Sequence, residues 1–178
     1  MMSARIPVTW LAAFVHRRGD LRGIAAGSTR PEEGVRAQRA LQAELAGRQG
    51  AYQCERPVAL SVTLATHSFV LGGRIDGCDT TARPVLIEEF KTTRADPVHA
   101  HAANAAEHWA QARLYAGMLG REGIGNDGFL LRLRYCHPET LAERHFETIC
   151  SATDAEAFLV ATLHELEGWI AVQAAHER

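Results

Sequence analysis

The feature that most constrains the fold is a change of hydrophobic period. Before residue 57 the apolar residues recur at helical spacing; from Pro57 the stretch "VALSVTLATHSFVLGGRIDGC" alternates in parts and is rich in β-branched residues. Period two and β-branching predict two adjacent strands with a turn near His67. "DTTARP" then turns the chain into "VLIEEFKTT", a third strand of an antiparallel meander. On either side the period is helical. Pro7, Trp10, Leu11, Phe14 and Val15 predict a first helix ending near Gly19, and a loop runs from Asp20 to Arg30. "STRPEEGVRAQRALQAELAG" is a second helix, with a Ser/Thr cap, Pro31 in its first turn and Gly47 past its end. "ANAAEHWAQARLYAGMLGREG" is a third, "DGFLLRLRYCHP" with "LAERHFETIC" a hairpin, and "DAEAFLVATLHELEGWIAVQAAHE" a closing helix. The predicted class is α/β, with a central mixed or antiparallel sheet of about five strands flanked by helices.

At 178 residues the chain is expected to form one domain, 1–178, large enough to be stable without a disulfide or metal staple. No repeat or linker divides it. A net charge of −2 with 22% charged and 47% hydrophobic residues excludes a disordered tail and a generally cationic coat, so any nucleic acid must meet a local basic patch. The N-terminal apolar run is broken by His16, Arg17 and Arg18, too soon for a signal peptide or membrane span, which predicts an intracellular protein with no membrane partner. Cys54, Cys78, Cys136 and Cys150 contain no C-x-x-C pair and read as reduced core residues.

The stretch "PVLIEEFKTT" breaks its own pattern. Residues two apart on a strand share a face, so Glu89 and Lys91 point one way with Ile87, while Glu88 and Phe90 point the other. A hairpin centred near residues 81 and 82 would set Asp76 opposite Ile87 and one diagonal step, roughly 7–8 Å, from Glu89. Two carboxylates in a partly apolar setting raise each other's pKa, and a divalent cation removes that cost. Mg²⁺ takes one or two carboxylates and keeps several waters. Lys91 beside it would hold a water or steady charge on phosphate oxygens. On an exposed strand the same triplet would be a solvated charge set, but Asp76 and Glu89 sit inside strongly apolar strands. Along the third helix Asn104, His108, Gln111 and Tyr115 share one stripe, suited to a DNA phosphate contact, to support of the lysine, or to partners in the sheet.

Together "GGRIDG", "IEEFKTT" and "HWAQARLY" resemble the PD-(D/E)XK nuclease superfamily, in particular its RecB-type branch with a Q-x-x-x-Y motif. From about residue 8 onward the chain also looks like the nuclease-like domain of DinG/XPD-type DNA helicases. The resemblance implies a restriction-endonuclease-like core and a metal-dependent DNA nuclease whose partner is single-stranded or end-containing DNA. In it Asp76, Glu89 and the Phe90 carbonyl bind Mg²⁺ or Mn²⁺, Lys91 is catalytic, and Gln111 and Tyr115 support DNA or the lysine. The branch expects a metal-binding histidine in a G-x-x-x-H segment, where "GVRAQ" offers Gln38, an amide with weaker affinity for cations. His16, His101 and His108 are the candidate substitutes. Arg36, with Arg17, Arg18, Arg22, Arg30 and Arg39, would line a DNA-binding mouth or form a solvated helix face. A P-loop motif is missing from the sequence, so a helicase would be a partner in cis or in trans. Three readings follow: a DNA nuclease, a DNA-binding or scaffolding module that has lost cleavage through Gln38, and a phosphohydrolase of small nucleotides.

Overall fold

A computed structural model describes residues 4–16, 51–64, 67–100 and 105–176, with helical positions 36, 38–40, 42, 43, 45 and 47 between them. The elements are β1 (Ala4–Pro7), α1 (Val8–Val15), β2 (Gln53–Leu64), β3 (His67–Asp79), β4 (Val85–Thr92), a 3₁₀ turn (Pro97–His99), α2 (Ala106–Arg121), β5 (Phe129–Cys136), β6 (Glu143–Cys150) and α3 (Ala152–His176). We number the helices without the partly described helical segment that carries Gln38 and Gln42.

The sheet has six strands in the order β1-β3-β4-β5-β6, with β2 on the other edge of β3. It is mixed: β2–β3, β3–β4 and β5–β6 are antiparallel, while β1–β3 and β4–β5 are parallel. The β4–β5 pair is parallel because α2 carries the chain back across the sheet, as parallel neighbours require. Pro57 is tolerated in β2 because, among the described residues, that strand pairs with β3 alone. The strand before α1 departs from the predicted order. Four residues are too few to show a period, and β1 forms only because β3 offers it an open edge.

That edge decides where the site lies. β2 occupies one side of β3 along nearly its whole length, so β1 and β4 share the other. β1 takes Phe69–Gly72 and β4 takes Gly77–Asp79. Residues 73–76 lie between, paired with β2 on one side but with no described strand on the side that β1 and β4 share. The meander register also differs from expectation. The pairs are Gly77↔Glu88, Cys78↔Ile87 and Asp79↔Leu86, so the next step of the ladder brings Asp76 to Glu89 and not to Ile87. The reason is the turn: Asp79 belongs to β3, and its Oδ1 accepts from the backbone of Thr81 and Ala82 and from the Thr81 hydroxyl. This Asx-type cap moves the centre of the hairpin toward residues 82 and 83.

One face of the sheet packs on α1, α2 and α3 through Leu11, Leu71, Ile87, Leu114, Leu131 and Leu159, all fully buried. Trp10 and Phe14 of α1 stack at 5.4 Å, and both rings meet Trp169 of α3 edge-on. On the other face Phe90 and Cys136 pack with Leu45 of the helical segment. The four cysteines are free, and three of them are buried. Among the described residues no helix is long and apolar enough to cross a membrane.

Candidate active site in the fork between two strands

Beyond Gly77↔Glu88 the ladder between β3 and β4 gives way to a side chain: the Phe90 N–H donates to Asp76 Oδ2 at 2.8 Å. The two strands fork there. A cavity of about 340 Å³ fills the fork, walled by Gly72, Arg74 and Asp76 of β3, by Glu89, Phe90 and Lys91 of β4, and by the start of α1 at Val8 and Thr9. Gln38, Gln111 and Tyr115 close it.

Inside the fork the charges are unevenly matched. The Lys91 ammonium donates to Glu89 Oε1 at 2.7 Å and to Gln111 Oε1 at 3.5 Å, and its side chain stays 28% exposed. Glu89 is 2% exposed, and its second oxygen, Oε2, is buried without a hydrogen-bond partner. Burial pushes its carboxyl up to about 8; the Lys91 charge pulls it down and nearby Asp76 pushes it further up. Burial raises Asp76 as well, against the Phe90 N–H and Lys91. An orphaned, buried carboxylate oxygen carries a free-energy cost that a cation removes.

The residues present fit a hard divalent ion. Among the described residues no group of three or more His, Cys, Asp or Glu side chains clusters as a metal site. The carboxylates of Asp76 and Glu89 nevertheless offer oxygen ligands of the sort Mg²⁺ accepts while keeping several waters. Zinc, which favours nitrogen and sulfur, is poorly served.

Most sequence-derived candidates come together here. Asp76, Glu89, Phe90, Lys91, Gln111, Tyr115 and Gln38 all line the fork. Gln38 reaches it as a donor, its Nε2 lying 3.1 Å from both Asp76 Oδ1 and Glu55 Oε1. Tyr115 is 1% exposed and presses its hydroxyl against Gly73, where a Cβ would lie 2.6 Å from it, so it shapes the wall and does not reach out to a phosphate. His108 stays outside the fork. Its Nδ1 lies 2.8 Å from the Tyr135 hydroxyl, and burial, with Lys91 nearby, pushes its pKa down to about 4, so it is neutral. His16 lines a separate cavity. Arg36 is helical and exposed two residues before Gln38. Asn104, His101, Arg17, Arg18, Arg22 and Arg30 lie outside the described residues.

Two residues that sequence patterns did not single out hold Asp76 in place. Gln42 is 4% exposed, and its Nε2 donates to the Asp76 carbonyl at 2.7 Å and to Glu55 Oε1 at 3.2 Å. Glu55 lies on β2 opposite Asp76 of β3, between the pairs Cys54↔Gly77 and Arg56↔Ile75, with a φ of 54°. The positive φ, uncommon outside glycine, turns its carboxylate toward the two glutamine amides. A sequence signal existed for Glu55, since "QCERPV" opens a strand whose register with "GRIDG" is antiparallel; Gln42 left none.

A mixed sheet flanked by helices, with an Asp and a Glu-x-Lys meeting where two central strands part, defines a restriction-endonuclease-like α/β class. The family model of the PD-(D/E)XK nuclease superfamily matches residues 8–176, and the chain belongs to that superfamily. Membership points to a metal-dependent nuclease acting on nucleic acid. The crystal structure of SSO0001 superposes with a TM-score of 0.54 at 18% identity, over 92% of this chain and 77% of that one, a likeness of fold. No curated protein matches the chain.

Proposed function

We propose that this protein is a Mg²⁺- or Mn²⁺-dependent deoxyribonuclease of the RecB-type branch. Gln111 and Tyr115 stand as its Q-x-x-x-Y pair, and a helicase of the DinG/XPD type, in cis or in trans, is its partner. The observation that carries the reading is the buried, partnerless Glu89 Oε2 beside Asp76 in a cavity that also holds an ammonium. Asp76, Glu89 and the Phe90 carbonyl would hold the ion, which when bound supplies Lewis-acid polarisation of the phosphodiester and a water of lowered pKa. Lys91, steadied by Gln111, binds a non-bridging phosphate oxygen as charge grows on it. In the hydrolysis the water oxygen forms a new bond to phosphorus, one P–O ester bond breaks, and the departing oxygen takes up a proton. Gln42 and Glu55 keep the Asp76 segment in place. Arg36 and Arg39 offer positive charge on the helical segment beside the fork. The four free cysteines suit a reducing, intracellular compartment.

The Gln38 amide favours a second reading, a DNA-binding module with impaired cleavage. It presents an N–H to Asp76 Oδ1 where the branch expects a metal-binding imidazole. One experiment separates the two. Linear single- and double-stranded DNA is incubated with Mn²⁺ or Mg²⁺; the nuclease reading requires products that vanish in Lys91→Ala and with chelator. Binding without products selects the second reading.

A further inference from the structure

The sheet register carries the face of Glu89 and Lys91 outward to an edge. Lys91 pairs with Tyr135, and Tyr135 with Arg144; in the next row Glu89 pairs with Leu133, and Leu133 with Phe146. Strand alternation puts all of them on one face. Neighbouring strands lie about 4.8 Å apart, so the backbone of Arg144 is roughly 10 Å from that of Lys91. β6 ends the sheet, and Tyr135, Arg144 and Phe146 are all partly exposed.

The side chains along this path are aromatic and cationic. The Tyr135 and Phe146 rings meet edge-on at 6.1 Å, and the Arg144 guanidinium lies 4.9 Å over the Phe146 ring, with Nη1 donating to the Val98 carbonyl and its other N–H groups left to meet a phosphate. The His108 ring lies 5.8 Å from Tyr135 and fixes its hydroxyl. One step further along the same face of β6, Thr148 opens onto a cavity of about 460 Å³ lined by Trp109, Arg113 and Phe158. Arg113 there lies 5.7 Å over Phe158. Glu147 also lines that cavity, but Arg132 binds its carboxylate at 2.6 Å. Aromatic faces and guanidiniums in series suit unpaired bases, because every base has a π-face to stack and every phosphate a charge to meet. Paired bases in a duplex are stacked on each other and leave such rings nothing to bind.

We infer that this path is a subsite for single-stranded DNA. The strand whose phosphodiester enters the fork lays its unpaired bases against Tyr135 and Phe146, Arg144 holds a phosphate between them, and the cavity at Trp109 and Phe158 takes a base beyond. The inference rests on the nuclease reading and names its substrate, a single-stranded end or tail in preference to a blunt duplex.

The test is binding without cleavage. Fluorescent oligo(dT) and a blunt duplex are titrated with the full chain in chelator over a range of salt. Phe146→Leu keeps the apolar bulk and removes the ring; it should weaken oligo(dT) binding about fivefold or more, the lower end for one stacked base, and leave the duplex unchanged. Arg144→Gln should reduce the slope of log affinity against log salt by about 0.7, one phosphate contact on a single strand. Arg144→Lys should restore that slope. Thermal melting of each variant checks that the fold survives. Equal losses for both DNAs, or none in folded variants, overturn the subsite. Cleavage of the same oligonucleotide in Mn²⁺ separates the two ideas: cleavage with neutral variants leaves the nuclease and removes the subsite. Selective binding without cleavage removes the nuclease and leaves the subsite.

Discussion

Glu89→Gln should make the metal-free protein more stable at alkaline pH, though it removes the ion-pair partner of Lys91. The Glu89 carboxyl is raised from 4.5 to about 8, chiefly by burial. A rise of that size corresponds to roughly 5 kcal/mol between the two protonation states. Between those values the folded protein keeps a proton that the unfolded chain has lost. Stability from this group is therefore full below pH 4.5, falls as pH rises, and is gone above about 8. Glutamine has the shape of the protonated acid and no charge to bury. Losing the contact with Lys91 costs little, because that ammonium is 28% exposed and can hydrate. After this offset, and some water entering the fork, about 2 kcal/mol should remain in favour of the variant at pH 8.5, or about 4–8 °C in Tm for a chain of this length. The assay is thermal melting in chelator from pH 4.5 to 8.5, with the two proteins converging at the acid end. Added Mg²⁺ should reverse the order, since an ion bound to the folded wild type at a hundred times its Kd adds about 2.7 kcal/mol that the variant lacks. A wild type whose Tm is flat over this range, with a variant lower at every pH, would refute the reasoning. Glu89 would then be an ordinary ionised partner of Lys91.

Three further outcomes test the surroundings of the site. Glu88→Gln should destabilise by about 3 kcal/mol in denaturant unfolding, because it leaves Arg132 and Arg134 facing a neutral group in a buried network. Gly77→Ala should destabilise through overlap of its Cβ with the Tyr52 hydroxyl, and Tyr52→Phe in the same chain should recover part of that loss as a non-additive term in a double-mutant cycle. Gln38→His should bind Mn²⁺ several-fold more tightly than wild type by calorimetry, since an imidazole would replace an amide that now donates to Asp76.

The parts of the site that could be read from the sequence are those governed by strand alternation. Asp76, Glu89 and Lys91 had to share a face once their segments were strands, and Gln111 and Tyr115 followed from helical spacing. The exact pairing of Asp76 was not legible, because it depends on Asp79 capping Thr81 and Ala82, an exchange of hydrogen bonds inside the turn that leaves no mark on hydrophobic period. Gln42 and Glu55 meet only when a helix docks on the sheet, and Arg132 and Arg134 reach Glu88 from 44 and 46 residues away. Such long-range pairings have no local signature.

Glu88 and Glu89 show what the sequence alone could not separate. They are adjacent acids on one buried strand, equal in composition and pattern. Burial opposes the charge of both. On the Glu88 face Tyr52 donates at 2.5 Å, Arg132 at 2.9 Å and Arg134 at 2.8 Å, and the carboxyl is held below its usual range. On the Glu89 face the Lys91 ammonium donates to Oε1 with Gln111 alongside, Oε2 has no hydrogen-bond partner, and burial keeps the carboxyl raised. A carboxylate saturated by donors has no need of a ligand, so Glu88 holds the strand. A carboxylate left short of them in a polar cavity is stabilised by whatever cation enters, and that shortfall is why the proposed function gives the metal to Glu89 and not to Glu88.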